Sequence, residues 1–182
     1  SNGNDTNDIY FTSLQYDNTS ITSNNSFELI STAIDSMDET IVANGSSFKP
    51  SISGNGNRIV FESVANNLSA KGGADQSSND TNGVRDIFIR DRLANTTSRI
   101  NKTTNTLEIE DASYSPIISN DGLYVVFEST SSYLSSEDTD NNNDVFRYSI
   151  ANNEVALISL KSSGSKVLAH SGSATISADG NI

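Results

Sequence analysis

Three times the chain writes nearly the same hairpin: Phe48-Lys49-Pro50-Ser51-Ile52-Ser53-Gly54-Asn55-Gly56, then Tyr114-Ser115-Pro116-Ile117-Ile118-Ser119-Asn120-Asp121-Gly122, then Ala174-Thr175-Ile176-Ser177-Ala178-Asp179-Gly180. A second phrase, Asp followed by an apolar run, recurs as Asp8-Ile9-Tyr10-Phe11, Asp86-Ile87-Phe88-Ile89 and Asp144-Val145-Phe146. Pro50 and Pro116 lie 66 positions apart, and Pro116 and Ala174 lie 58 apart. A repeat of roughly sixty residues made of short apolar runs and turns marks a stacked or radial β architecture.

Laying the two complete repeats over each other gives four strands per unit. The first strands are 48–53 and 114–119, followed by Asn55-Gly56 and Asp121-Gly122, dipeptides that tolerate the positive φ of a tight hairpin. The second strands are 58–63 and 124–129. Long polar loops, 66–85 and 131–143, lead to third strands at 86–91 and 144–149. Short turns at Ala94-Asn95 and Asn152-Asn153 then give fourth strands at 97–101 and 155–159. The runs Ile59-Val60-Phe61, Val125-Val126-Phe127 and Ile87-Phe88-Ile89 are continuously apolar, not alternating. Such runs belong to strands covered on both faces, as in a sheet held between neighbouring sheets. No helix of useful length is expected; residues 35–42 are the nearest candidate.

This pattern predicts an all-β fold, a partial β-propeller of about three four-stranded antiparallel blades that does not close a ring. The division expected is one domain over 1–182. Residues 1–31 hold the outer strands of a first blade, 47–101 and 113–159 are full blades, and 171–182 start another.

Composition bounds the rest. Only 34% of the 182 residues are hydrophobic, but they cluster in runs, which separates the chain from a disordered polar segment. Lys+Arg is 11 against 23 Asp+Glu, a net charge of −12. Such a surface repels phosphate backbones and argues against nucleic acid as a partner. Cysteine is absent, so no disulfide framework or thiol chemistry is available. No apolar stretch has the length of a membrane-spanning helix. The chain begins Ser1-Asn2-Gly3, as a processed or cloned segment would.

The repeat resembles the TolB-like, WD-repeat-like propellers of bacteria, whose blades read P-S-I-S-x-D-G-x-x-V-x-F-x-S and then D-T-N-x-x-x-D-V-F. The matching residues are Pro50-Ser51-Ile52-Ser53-Gly54-Asn55-Gly56 with Ile59-Val60-Phe61-Glu62-Ser63, then Asp80-Thr81-Asn82 and Asp86-Ile87-Phe88. The next unit offers Pro116, Ile118-Ser119-Asn120-Asp121-Gly122, Val125-Val126-Phe127-Glu128-Ser129, then Asp138-Thr139-Asp140 and Asp144-Val145-Phe146. Asn55 stands where the motif has Asp, Ala174 where it has Pro, and the first unit has a longer connection between third and fourth strands. The resemblance implies a binding scaffold or an accessory domain, from the envelope (periplasm) or exterior of a bacterium.

Two groups of residues carry candidate chemistry. Asp138, Asp140, Asn142 and Asp144 place oxygen ligands at every second position, the opening spacing of calcium loops. The equivalent Asp80, Asn82 and Asp86 form a weaker version, with Val84 in the third place. The alternative is that these side chains cap turns ahead of the third strand, and the Glu that closes a calcium loop has no counterpart, since position 149 is Ser. Glu62 and Glu128 occupy matching places and read as a repeated structural feature, not an acid/base pair. His170 has no matched nucleophile, and Lys71-Gly72-Gly73 lacks phosphate-loop spacing.

The expectation is therefore a non-enzymatic scaffold for a protein or glycan partner. The alternatives are an accessory propeller of a larger hydrolase or peptidase, and a calcium-stabilised adhesion module. Open sheet edges further predict self-association, or completion by more blades of the same chain.

Overall fold

The computed structural model describes residues 6–17, 20–23, 26–34, 38–68, 80, 82–102 and 110–180. Among these, every regular element is a strand, and all pairings are antiparallel. An opening unit pairs β1 (Tyr10–Phe11) with β4 (Glu28–Leu29), and the connection between them folds back as a hairpin of β2 (Leu14–Asp17) and β3 (Ser20–Ser23). That hairpin is the extra length in the first unit. A further hairpin, β5 (Thr32–Ile34) with β6 (Thr40–Val42), leads into the first full sheet. Residues 40–42 are thus a strand, where the helical candidate over 35–42 had been placed; 35–37 lie outside the described residues.

The first full sheet contains β7 (Ser47–Ile52), β8 (Arg58–Ser63), β9 (Asp86–Asp91) and β10 (Thr96–Arg99) in sequential order. The second contains β11 (Ser113–Ile118), β12 (Tyr124–Ser129), β13 (Asp144–Ser149) and β14 (Glu154–Leu157), again in order. These are the two four-stranded units read from the repeat. Residues 171–177 bear no strand assignment, but 178–180 form the third hairpin turn.

The sheets pack face to face. Val60, Ile87, Ile89 and Ile100 of the first meet Ile118, Val125, Phe127, Phe146, Tyr148 and Leu157 of the second in one core. On the other face, Ile59, Phe61 and Phe88 meet Ile9, Ile30, Ala43 and Leu68. Alternate residues of one apolar run thus enter two different cores, which is why the run does not alternate with polar residues. Each sheet repeats one aromatic stack: Phe61 on Phe88 at 5.9 Å and Phe127 on Phe146 at 5.8 Å between ring centroids.

Turn chemistry repeats with equal fidelity. Ser53, Ser119 and Ser177 donate through their hydroxyls to Asn55, Asp121 and Asp179 at 2.8, 2.5 and 2.6 Å. Gly56, Gly122 and Gly180 sit at φ of 71°, 75° and 79°, a region glycine enters without the clash a Cβ brings. Adjacent turns are bonded: Gly54 N donates to Asn120 O, and Asp121 N to Ala178 O, at 2.8 and 3.0 Å.

Strands β7 and β11 each carry a bulge, between Phe48 and Ser51 and between Tyr114 and Ile117. Lys49 and Ser115 sit there at φ of 46° and 54°, and Ser173 repeats the feature at 58°. The bulge lifts the following proline out of the ladder, where its missing N–H costs nothing.

Candidate functional site

The acids that open each third strand are structural pins. Asp8, Asp86 and Asp144 accept from Ser31 Oγ (3.0 Å), Asn101 Nδ2 (2.5 Å) and Ser159 Oγ (2.7 Å). Those three side chains also accept from the N–H of Ile9, Ile87 and Val145, at 3.2, 2.9 and 3.3 Å. One residue just past the fourth strand therefore satisfies both the acid and the amide that follows it. Asp86 gains a further partner in Arg99 Nη1 at 3.3 Å, both side chains being fully buried. Burial of a carboxylate demands such partners.

Glu62 and Glu128 tie each sheet to the next. Glu62 Oε1 accepts from Ser115 N at 2.7 Å and Oε2 from Arg85 Nη1 at 3.2 Å. Glu128 Oε1 accepts from Ser173 N at 2.8 Å and Oε2 from Asn143 Nδ2 at 2.9 Å. The amide captured in each case belongs to the bulge residue of the following unit. Backbone bonds set the same register: Ser47 N to Asn7 O, Ser113 N to Arg85 O, and Ser171 N to Asn143 O, at 2.8, 2.8 and 2.6 Å.

The loop before β13 brings Asp138, Asp140 and Asp144 together, with oxygens within 4.8 Å of one another. Lys166 reaches into the middle of them. Its Nζ donates to Asp138 Oδ1, lies 2.8 Å from Asp140 Oδ1 and 3.0 Å from Asp144 Oδ2, and its side chain is 6% exposed. Burial alone would lower the pKa of this ammonium; the bonds to Asp138, Asp140 and Asp144 outweigh it and hold the pKa above the usual lysine range. Hydrogen bonds from Lys166 and from Asn142 N hold the Asp140 carboxyl below the usual carboxylate range. Asn142 enters the site through that amide, 2.8 Å from Asp140 Oδ1.

The equivalent loop in the first full sheet is arranged differently. Asn82 Nδ2 lies 3.3 Å from Asp86 Oδ2, and Asn82 Oδ1 accepts from Val84 N at 2.9 Å, a turn cap. Asp80 is buried. His170 is exposed and its Nδ1 accepts from Asn143 N at 2.8 Å. A cleft of about 220 Å³ opens between the full sheets beside Arg58, Asp91, Tyr148 and Asn153. Its polar groups bond one another: Arg58 Nε with Asp91 at 3.1 Å, and Tyr148 Oη with Asn153 at 2.8 Å.

Sequence reasoning missed Ser31, Asn101, Ser159 and Lys166. The first three could have been found, since each lies two residues past a fourth strand, at one repeat position. Lys166 lies outside the repeat phrases read from the sequence, so nothing in the pattern flagged it.

No protein-family model and no curated protein matches the chain. Among solved structures, TolB from Acinetobacter baumannii aligns with a TM-score of 0.45 and 18% identity, over 94% of this chain and 33% of that one. The chain thus spans about a third of that protein's length.

Proposed function

We propose that the chain is a non-catalytic, propeller-type repeat scaffold that holds a protein partner in the envelope or exterior of a bacterium. The observation that carries this reading is the use made of Glu62 and Glu128. In both, one oxygen fixes the next unit's bulge amide and the other a neighbouring side chain. A general acid or base needs a carboxyl oxygen directed at a substrate proton, and here each is directed into the scaffold. The sequence resemblance supplies the location, and the acidic surface fits a protein partner better than a polyanion.

The test is to offer the purified chain glycoside, peptide and ester substrates beside its Glu62→Gln and Glu128→Gln variants. No turnover is expected from any of the three, with a lowered melting temperature in both variants. Turnover by the native chain that Glu128→Gln abolishes, with the fold intact, overturns the reading.

A further inference from the structure

Four Asn-Gly pairs stand in the chain: Asn2-Gly3, Asn44-Gly45, Asn55-Gly56 and Asn82-Gly83. In such a pair the backbone nitrogen of the glycine can attack the Asn side-chain amide, because no Cβ shields it. Loss of ammonia leaves a five-membered imide, and water opens that ring to aspartate or isoaspartate. The first pair lies outside the described residues, and the fold treats the other three differently.

At Asn55 the attacking nitrogen is engaged: Gly56 N donates to Ser53 O at 2.9 Å inside the hairpin turn. At Asn44 the glycine is walled in. A Cβ on Gly45 would lie 2.8–2.9 Å from the backbone of Val64 and Ala65. Asn44 Nδ2 and Oδ1 are both bonded to Asn66 as well, at 2.6 and 3.0 Å. Closing the imide ring requires the backbone of the pair to turn, and at both sites that breaks existing contacts.

Gly83 is open. Among the described residues, no atom beyond its chain neighbours lies within 4 Å of where its Cβ would stand, and its N–H donates to none. Asn82 Oδ1 accepts from Val84 N at 2.9 Å, a turn that folds the side chain back over the Gly83 peptide. When Gly83 N adds to Cγ, negative charge gathers on that same oxygen. The Val84 N–H is therefore an oxyanion donor already in position. Asn82 Nδ2, the leaving nitrogen, lies 3.3 Å from Asp86 Oδ2.

We propose that Asn82 is a site of spontaneous deamidation, singled out by the fold from the other described Asn-Gly pairs. The bond from Gly83 N to Cγ forms, the bond from Cγ to Nδ2 breaks, and Nδ2 leaves as ammonia with the Gly83 amide proton. Water then opens either imide carbonyl, so the chain and water supply every atom. The aspartate product puts a carboxylate where an amide donated to Asp86, whose side chain is fully buried against Arg99. A donor is lost and a like charge replaces it. The isoaspartate product also lengthens the main chain by one carbon just ahead of β9. Both products weaken the anchorage of β9, so the modification loosens the first full sheet as the protein ages.

The test holds the purified chain in mildly alkaline buffer, native and unfolded in urea, and follows Asn44, Asn55 and Asn82 by peptide mapping with mass spectrometry. The unfolded chain gives each pair its reference rate. In the native chain Asn44 and Asn55 should fall about tenfold or more below that reference, the rate equivalent of one hydrogen bond that must break first. Asn82 should keep its unfolded rate, with both aspartate and isoaspartate appearing at that position. The melting temperature of the ageing chain should drift down towards that of Asn82→Asp. The Asn82→Gln variant, whose longer side chain closes no five-membered ring, should not drift. Protection of Asn82 equal to that of Asn44 and Asn55 overturns the proposal, as does aspartate at 82 without isoaspartate. A fully converted chain that melts with the fresh one overturns the claimed effect on Asp86.

Discussion

Replacing Lys166 by Met keeps the side-chain length and removes the charge. Asp138 and Asp144 have no exposed side-chain surface, and with Asp140 they would be left as three carboxylates crowded within 4.8 Å. Removing one partner of a buried ion pair costs about 3–5 kcal/mol. The lower figure applies to Lys166 with Asp138 and Asp144, because the third acid opens to water, with 29% of its side chain exposed. A loss of about 3 kcal/mol lowers the melting temperature by roughly 6–12 °C in a domain of this size. Calcium supplies the second arm. In the native chain the ammonium fills the space between the carboxylates, so millimolar Ca²⁺ or excess chelator should leave the melting curve in place. In Lys166→Met the carboxylates become free to act as hard-cation ligands. An ion at ten times its dissociation constant then returns about 1.4 kcal/mol, or roughly 3–6 °C. Scanning calorimetry of both proteins, with calcium and with chelator, reads all four states. A native melt raised by calcium would mean that the ion displaces the lysine. A variant that melts with the native chain would mean that Lys166 neutralises nothing of consequence. Either result refutes the reasoning.

Further predictions separate packing from pinning. Ile118→Ala should cost about 2–5 kcal/mol, as for a buried aliphatic, while Ile52→Ala should stay within about 0.5 kcal/mol; urea midpoints compared at constant slope read both. Asn101→Ala removes a donor from the buried Asp86 and the acceptor of Ile87 N–H, so it should cost about 1–3 kcal/mol. Ser159→Ala removes a donor from Asp144 and the acceptor of Val145 N–H, so it should destabilise as well; a thermal melt that stays with the native chain in either variant would count against the pin as the shared device.

The strands of the full sheets were legible because their apolar runs are long and their turns carry Asn-Gly and Asp-Gly. Sequence boundaries and observed boundaries differ by at most two residues at any end. The hairpins β2–β3 and β5–β6 were not legible. They are short and rich in Ser and Thr, and β6 begins in a stretch whose only local signal was a faint helical one. At the candidate site the spacing of Asp138, Asp140 and Asp144 did bring three carboxylates together, but the spacing of Asn142 did not announce that its backbone amide would serve. The cation among them comes from the next connection, and a salt bridge across a loop leaves no periodic trace. The acids of the third strands were read as ligands or turn caps, whereas their partners lie past the fourth strand, at positions that only pairing across the sheet makes adjacent.

The contrast between Ile52, 46% exposed, and Ile118, 5% exposed, shows where burial comes from in this fold. The two residues share their strand, their bulge and their turn, so nothing within the sheet distinguishes them. Only the neighbouring sheet differs. Each sheet supplies its neighbour with a face of aliphatic and aromatic side chains, a backbone carbonyl before its third strand, and a glutamate at the end of its second. Stability is then largely a sum of such nearest-neighbour terms, as in other stacked repeats. It follows that the acids recurring at equal positions are those the junction requires. An acid that breaks the pattern is the better place to look for a role of its own, and Asp140, whose counterpart is Asn82, is such an acid, held by Lys166 together with Asp138 and Asp144.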